Sequence, residues 1–149
     1  MIDSRADTRP PGAGRALLGG LHALLGAFPL AFFCFAFITD LVYTRTYNLQ
    51  WQYFSIWLIT AGLVMGGASI FFGLIDWFVT RRSGLRRGAG AHIALSLVAW
   101  LLALLNAFVH SRDGWTAVAG EGIILSAVVA LMMLVGAALS VITYRGSAR

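Results

Sequence analysis

Three histidines (His22, His92, His110), three acids (Asp40, Asp76, Glu121) and Asn106 lie within or at the edges of long apolar stretches. Ionisable groups in such surroundings are costly and need a partner or a water-lined cavity, so these seven positions are where chemistry could occur. Their spacing divides them. Eighteen residues separate His22 from Asp40, and eighteen separate His92 from His110. In a helix that is about 27 Å, close to the thickness of a bilayer core. His22, His92 and Asp76 therefore fall at one face, and Asp40, Asn106, His110 and Glu121 at the other.

The first group admits two chemistries. Histidines at matching depth on parallel helices could supply both axial ligands of a b-type haem, with Asp76 orienting one ring. Alternatively, Asp76 accepts a hydrogen bond from a histidine, or pairs with Arg81 or Arg82, and locks three helices together. A c-type haem is excluded, because there is no C-x-x-C-H. In the second group Asp40 and His110 can form an ion pair, with Glu121 exposed at a helix N-terminus, where an acid is favoured. A proton or cation path between the groups would have to step through Ser69, Thr60 and Ser96. Soluble-enzyme motifs are absent: there is no Walker loop and no G-x-S-x-G elbow, and the glycines from Gly12 to Gly20 follow no strand. The pattern thus favours a non-enzyme, and no metal-ligand spacing is found.

The elements that must position these residues are membrane spans. Of the 149 residues 59% are hydrophobic and 11% charged, against roughly 25% charged in soluble domains. A soluble fold of this size could not hide so much apolar surface. Spans are expected at about 16–43, 53–79, 91–109 and 122–144, with a disordered tail over 1–15 and a short tail over 145–149. Pro and Gly in the first tail (Pro10, Pro11, Gly12, Gly14) support that reading. The first span is too long for the apolar part of a cleaved signal and is followed by three more. One cysteine, Cys34, allows no intramolecular disulfide.

Arginine placement gives the orientation. All eleven basic residues are Arg, and the net charge is +5. Nine of them fall in the N-terminal tail, the 81–87 loop and the C-terminus, and only Arg45 and Arg112 fall in the other two loops. Four spans place the first three regions on one side, so both termini are expected in the cytoplasm. These arginines flank spans, which argues for lipid rather than nucleic acid as the partner. Trp51, Tyr53 and Trp115 would form the outer aromatic belt, and Trp77 and Tyr144 the inner one.

Three spans carry a stripe of 3.5-residue period, the spacing that keeps one face toward a left-handed bundle. The first comprises His22, Gly26, Pro29, Phe33, Ala36 and Asp40; the second Gly62, Gly66, Ser69, Gly73 and Asp76. The third comprises His92, Ser96, Ala99, Ala103, Asn106 and His110. Span 4 has a looser set, Gly122, Ser126, Gly136 and Ser140. Small residues allow close helix approach, and Pro29 is expected to kink span 1 or free the Leu25 carbonyl.

His22, the run Phe28-Pro29-Leu30-Ala31 and Asp40 resemble the first span of the bacterial membrane-protein family known as domain of unknown function 2231. Trp57, Gly62 and Gly73-Leu74-Ile75-Asp76-Trp77 resemble its second span, and His92 after an arginine-rich loop resembles the start of its third. The resemblance covers about Leu21 to Val141. Family members often have Pro after the first His and a second His before Phe-Pro; here Ala23 and Ala27 stand at those positions. The resemblance implies a four-span fold in a bacterial inner membrane, and no activity.

The expectation is an all-α, four-transmembrane-helix bundle, N-in and C-in, serving as a structural or accessory membrane subunit, alone in the bilayer or within a membrane or redox complex. A b-haem or quinone-linked electron carrier built on His22 and His92 is the alternative, and a small proton- or ion-coupled transporter is the second.

Overall fold

A computed structural model describes residues 13–80, 89–112 and 117–147. Within it the side chains of His22, Asp76 and His92 lie outside the described residues, although their backbones belong to helices. The fold is all α: α1 (Ala13–Thr46), α2 (Leu49–Thr80), α3 (Ala89–His110) and α4 (Ile123–Ser147), the last preceded by a π turn, Val118–Gly122. Each helix contains a stretch long and apolar enough to cross a membrane: Leu24–Thr46, Leu49–Ile75, Ile93–His110 and Val118–Ser140. The protein is a polytopic membrane protein.

The helices form a closed ring in which α1 packs on α2, α2 on α3, α3 on α4 and α4 back on α1. The α1–α2 connection is only two residues long. Tyr47 adopts φ 51°, a left-handed conformation that costs a side-chain-bearing residue about 1–2 kcal/mol. Its amide closes α1 by donating to the Tyr43 carbonyl at 2.7 Å. The Tyr43 and Tyr47 rings meet edge-on at 6.1 Å, which offsets part of that cost. Asn48 then caps α2, its Oδ1 accepting from the Gln50 amide at 3.0 Å.

The expected stripes face inward. On α1 Pro29, Phe33, Ala36 and Asp40 are buried; on α2 Gly62, Gly66 and Ser69; on α3 Ala99, Ala103, Asn106 and His110; on α4 Gly122, Ser126 and Gly136. Ser140 departs from its stripe: it is exposed, and its hydroxyl donates to the Gly136 carbonyl. The outward faces carry Phe35, Ile38, Trp57, Phe71, Leu101, Phe108 and Leu131, all exposed. A soluble monomer could not carry apolar surface on this scale, and lipid covers it.

Phe33, Ala103 and Val129 meet in the middle, with Leu63, Leu102 and Met133 against them. Close approach here depends on glycine. A Cβ on Gly62 would stand 2.6 Å from Phe33 Cε1, and one on Gly66 would stand 3.1 Å from Trp100 Cδ1 and 3.5 Å from Pro29 Cγ. Trp100 Nε1 donates to the Leu63 carbonyl at 2.9 Å, tying α3 to α2. Pro29 does not interrupt α1, which continues through it; its ring packs against the glycine seam.

Candidate functional site

Asp40 is fully buried and is the point where all four helices meet. Ser55 of α2 donates to Oδ1. His110 Nε2, at the end of α3, lies 3.1 Å from the same oxygen. Ser126, one turn into α4, donates to Oδ2 at 2.5 Å. The Ser55 hydroxyl also lies 3.0 Å from the Ala36 carbonyl of α1, a second acceptor for its one proton. Stripe periodicity explains the meeting: Asp40 sits seven residues beyond Phe33, Ser55 seven before Gly62, and His110 seven beyond Ala103. Two helical turns, about 10 Å, therefore separate the polar layer from the apolar one on α1, α2 and α3.

A second tier holds the first in place. Asn106 Nδ2 donates to Ser126 Oγ at 2.8 Å, which leaves the serine proton for Asp40. Thr39 Oγ1 reaches Ser55 Oγ at 3.1 Å and the Ala36 carbonyl at 2.8 Å. The other ring nitrogen of His110, Nδ1, lies 3.0 Å from the Asn106 carbonyl oxygen. A carbonyl can only accept, so Nδ1 carries a proton.

The π turn covers this layer on the side of the chain connections. Val118 is fully buried and Ala117 nearly so. The turn closes through Gly122 N donating to the Ala117 carbonyl at 3.2 Å, an i to i+5 bond. Position 122 has no room for a side chain: a Cβ would collide with the Ala117 carbonyl oxygen and stand 3.0 Å from His110 Cε1. Two buried acceptors, Asn106 Oδ1 and Gln52 Oε1, have no hydrogen-bond partner among the described residues.

Serine, histidine and aspartate side by side are the residue types of a hydrolytic triad, but they are connected in another order. In a triad the histidine stands between serine and acid. Here both serines donate to Asp40, and His110 is held between Asp40 and a backbone carbonyl, so no hydroxyl is activated. All these groups are buried: Asp40, Ser55, His110 and Ser126 are each at most 2% exposed. The arrangement suits a fixed polar knot.

The structure thus brings together Asp40, Asn106 and His110 from the expected cluster, but not Glu121. That carboxylate is exposed and bonds Arg112 at 3.1 Å on the surface, because the π turn presents position 121 outward and Ser126 reaches inward in its place. Thr60 was a step in the conceivable path between the two groups. It is exposed and donates to the Ile56 carbonyl of its own helix at 2.8 Å. His22, Asp76 and His92 fall on α1, α2 and α3, with their side chains outside the described residues. Among the described residues no group of three or more His, Cys, Asp or Glu could hold a metal ion.

Ser55, Thr39 and Gln52 were absent from the expected set. A signal for two of them existed: the α2 stripe continues from Gly62 back through Ile59, Ser55 and Gln52 at three, four and three residues, and all three are buried.

Residues 19–140 match the sequence pattern of a family described as "Predicted membrane protein (DUF2231)". No curated protein and no solved structure matches the chain.

Proposed function

The chain belongs to the DUF2231 family of membrane proteins, and on that premise we propose that it is a structural or accessory subunit of a bacterial inner membrane, with both termini in the cytoplasm. The observation that carries this reading is the Asp40 knot: one buried carboxylate bonded from α2, α3 and α4. Its hydrogen bonds are spent on joining helices rather than held open for a ligand, as expected of buried polar groups that fix one arrangement. The orientation rests on the arginines, with nine at one side and Arg45 and Arg112 at the other. On this reading residues 1–15 and 145–149 are cytoplasmic tails, and the lipid bilayer is the first partner.

The test is the protein extracted from its own membrane in mild detergent. As an accessory subunit it migrates in an assembly larger than itself; migration alone, together with proton or cation flux in reconstituted vesicles, would replace this reading with a transporter. The same preparation gives a flat reduced-minus-oxidised spectrum even with full haem supply. A Soret band lost in both His22→Ala and His92→Ala would instead establish an electron carrier. For orientation, Cys34→Ala leaves no native thiol; Ser111→Cys in that background is then labelled from outside the cell and Ser83→Cys is not.

A further inference from the structure

We infer that the outward face of α2 is where this protein binds its partner: a transmembrane helix of another subunit, lying against Thr60 and Val64 and accepting a hydrogen bond from Trp57. The inference rests on the accessory-subunit reading and adds to it the surface and the chemistry of the occupant. On this face stand Tyr53, Trp57, Thr60, Val64, Phe71 and Phe78, all exposed. Its ends are bulky and aromatic and its centre is small. The Thr60 hydroxyl is turned back to the Ile56 carbonyl of its own helix. A second helix can therefore come close at Thr60 and Val64, between the two pairs of rings.

Trp57 is the residue that lipid does not suit. It is 73% exposed and lies five residues from Gly62, the central residue of the apolar stretch Leu49–Ile75. That places it about 7.5 Å from the middle of a hydrocarbon core whose half-thickness is about 15 Å. A lipid-facing tryptophan belongs in the headgroup belt, and on this face Tyr53 takes that place, one turn nearer the surface. The indole N–H of Trp57 has no hydrogen-bond partner among the described residues, and acyl chains hold no acceptor to give it.

The molecule itself shows what satisfies such a group. Trp100 of α3 lies over Gly66 and Gly67, and its Nε1 donates to the Leu63 carbonyl of α2 at 2.9 Å. A helix with small residues at the crossing and an oxygen at the depth of Trp57 meets that indole in the same way. The outward faces of α3 and α4 make no such demand. Leu97, Leu101 and Leu105 on α3 and Ile124, Val128 and Leu131 on α4 are exposed and aliphatic, a surface that acyl chains match. In the assembly the partner helix replaces lipid on α2.

The test uses the full chain extracted from its own membrane in mild detergent, read as the fraction that migrates in the larger assembly. An unmodified protein that migrates alone overturns both the accessory reading and this surface. Val64→Trp, which fills the centre of the face, should lower the assembled fraction by roughly tenfold or more. Trp57→Phe keeps a ring and removes the N–H, and should lower it by roughly threefold. Leu101→Trp and Leu131→Trp, on the other faces, should leave it unchanged. An assembly that survives Val64→Trp, is indifferent to Trp57→Phe, or is lost equally with Leu101→Trp overturns the inference and leaves the accessory reading standing. A photo-reactive phenylalanine derivative in place of Val64 identifies the occupant. The expected cross-link is to a transmembrane segment of a different chain; one to a second copy of this chain, or to lipid alone, overturns the inference.

Discussion

Two helical turns separate Asp40, Ser55 and His110 from Phe33, Gly62 and Ala103, and the two layers are held by different forces. The polar layer uses directional bonds from three helices to a single carboxylate on the fourth. The middle layer has no such bond at its centre; it relies on Phe33 lying against Gly62 and on the contact among Phe33, Ala103 and Val129. Apolar side chains gain little by leaving lipid for protein, so the middle layer is stabilised by closeness of fit. The polar layer is stabilised because its members have no alternative partners in an apolar medium. A packing layer should tolerate small losses of volume, whereas a knot centred on one group should fail together.

Substitution at the centre of the knot gives the largest expected effect. Asp40→Ala takes away the shared partner of Ser55, His110 and Ser126 and should destabilise the protein by about 3–5 kcal/mol, measured by equilibrium unfolding in detergent. The double change Asp40→Leu with His110→Leu should recover much of that loss, since apolar replacement of both partners of a buried pair is often near neutral. A double variant as unstable as the single one would show that the knot is more than the sum of this pair. In the middle layer Gly62→Ala should cost about 1–3 kcal/mol by overpacking. Adding Phe33→Leu should relieve it, because the atoms in the way belong to that ring. Equal losses with and without Phe33→Leu would break the distinction between a fitted layer and a bonded one.

Ser126→Ala removes one donor from Asp40 and the acceptor of Asn106 Nδ2. It should cost about 1–2 kcal/mol by the same unfolding measurement, at the upper end for hydrogen bonds within membranes. Arg112→Ala should change stability by less than about 0.5 kcal/mol, since its bond to Glu121 lies at the surface. A larger loss there would extend the polar layer to the surface pair.

The stripes and the shared depth of Asp40 and His110 were legible in the sequence because helical period and rise are fixed by backbone geometry. The identity of the donors was less so. Ser55 continues a stripe whose visible members began at Gly62, and its hydroxyl is inconspicuous because serines in spans commonly bond their own helix. Ser140 and Thr60 do so here, and nothing in their residue type separates them from Ser55. Glu121 shares the depth of Asp40 and is exposed, as expected for an acid at the head of span 4, but its outward direction depends on the π turn. An i to i+5 bond shifts the helical phase, and a constant 3.6-residue period carried back from α4 cannot anticipate it. The dependence of that turn on Gly122 becomes visible only when the Ala117 carbonyl and the His110 ring are both in place.

The order in which the ribosome delivers the partners of Asp40 has a consequence for biogenesis. Ser55 follows fifteen residues after Asp40, but His110 follows seventy later and Ser126 eighty-six later. Until the last span is inserted, the growing chain carries an acid in the bilayer without its full set of donors. A chain that loses its fourth helix never acquires the Ser126 bond, so the acid that fastens the finished protein is a cost to an unfinished one.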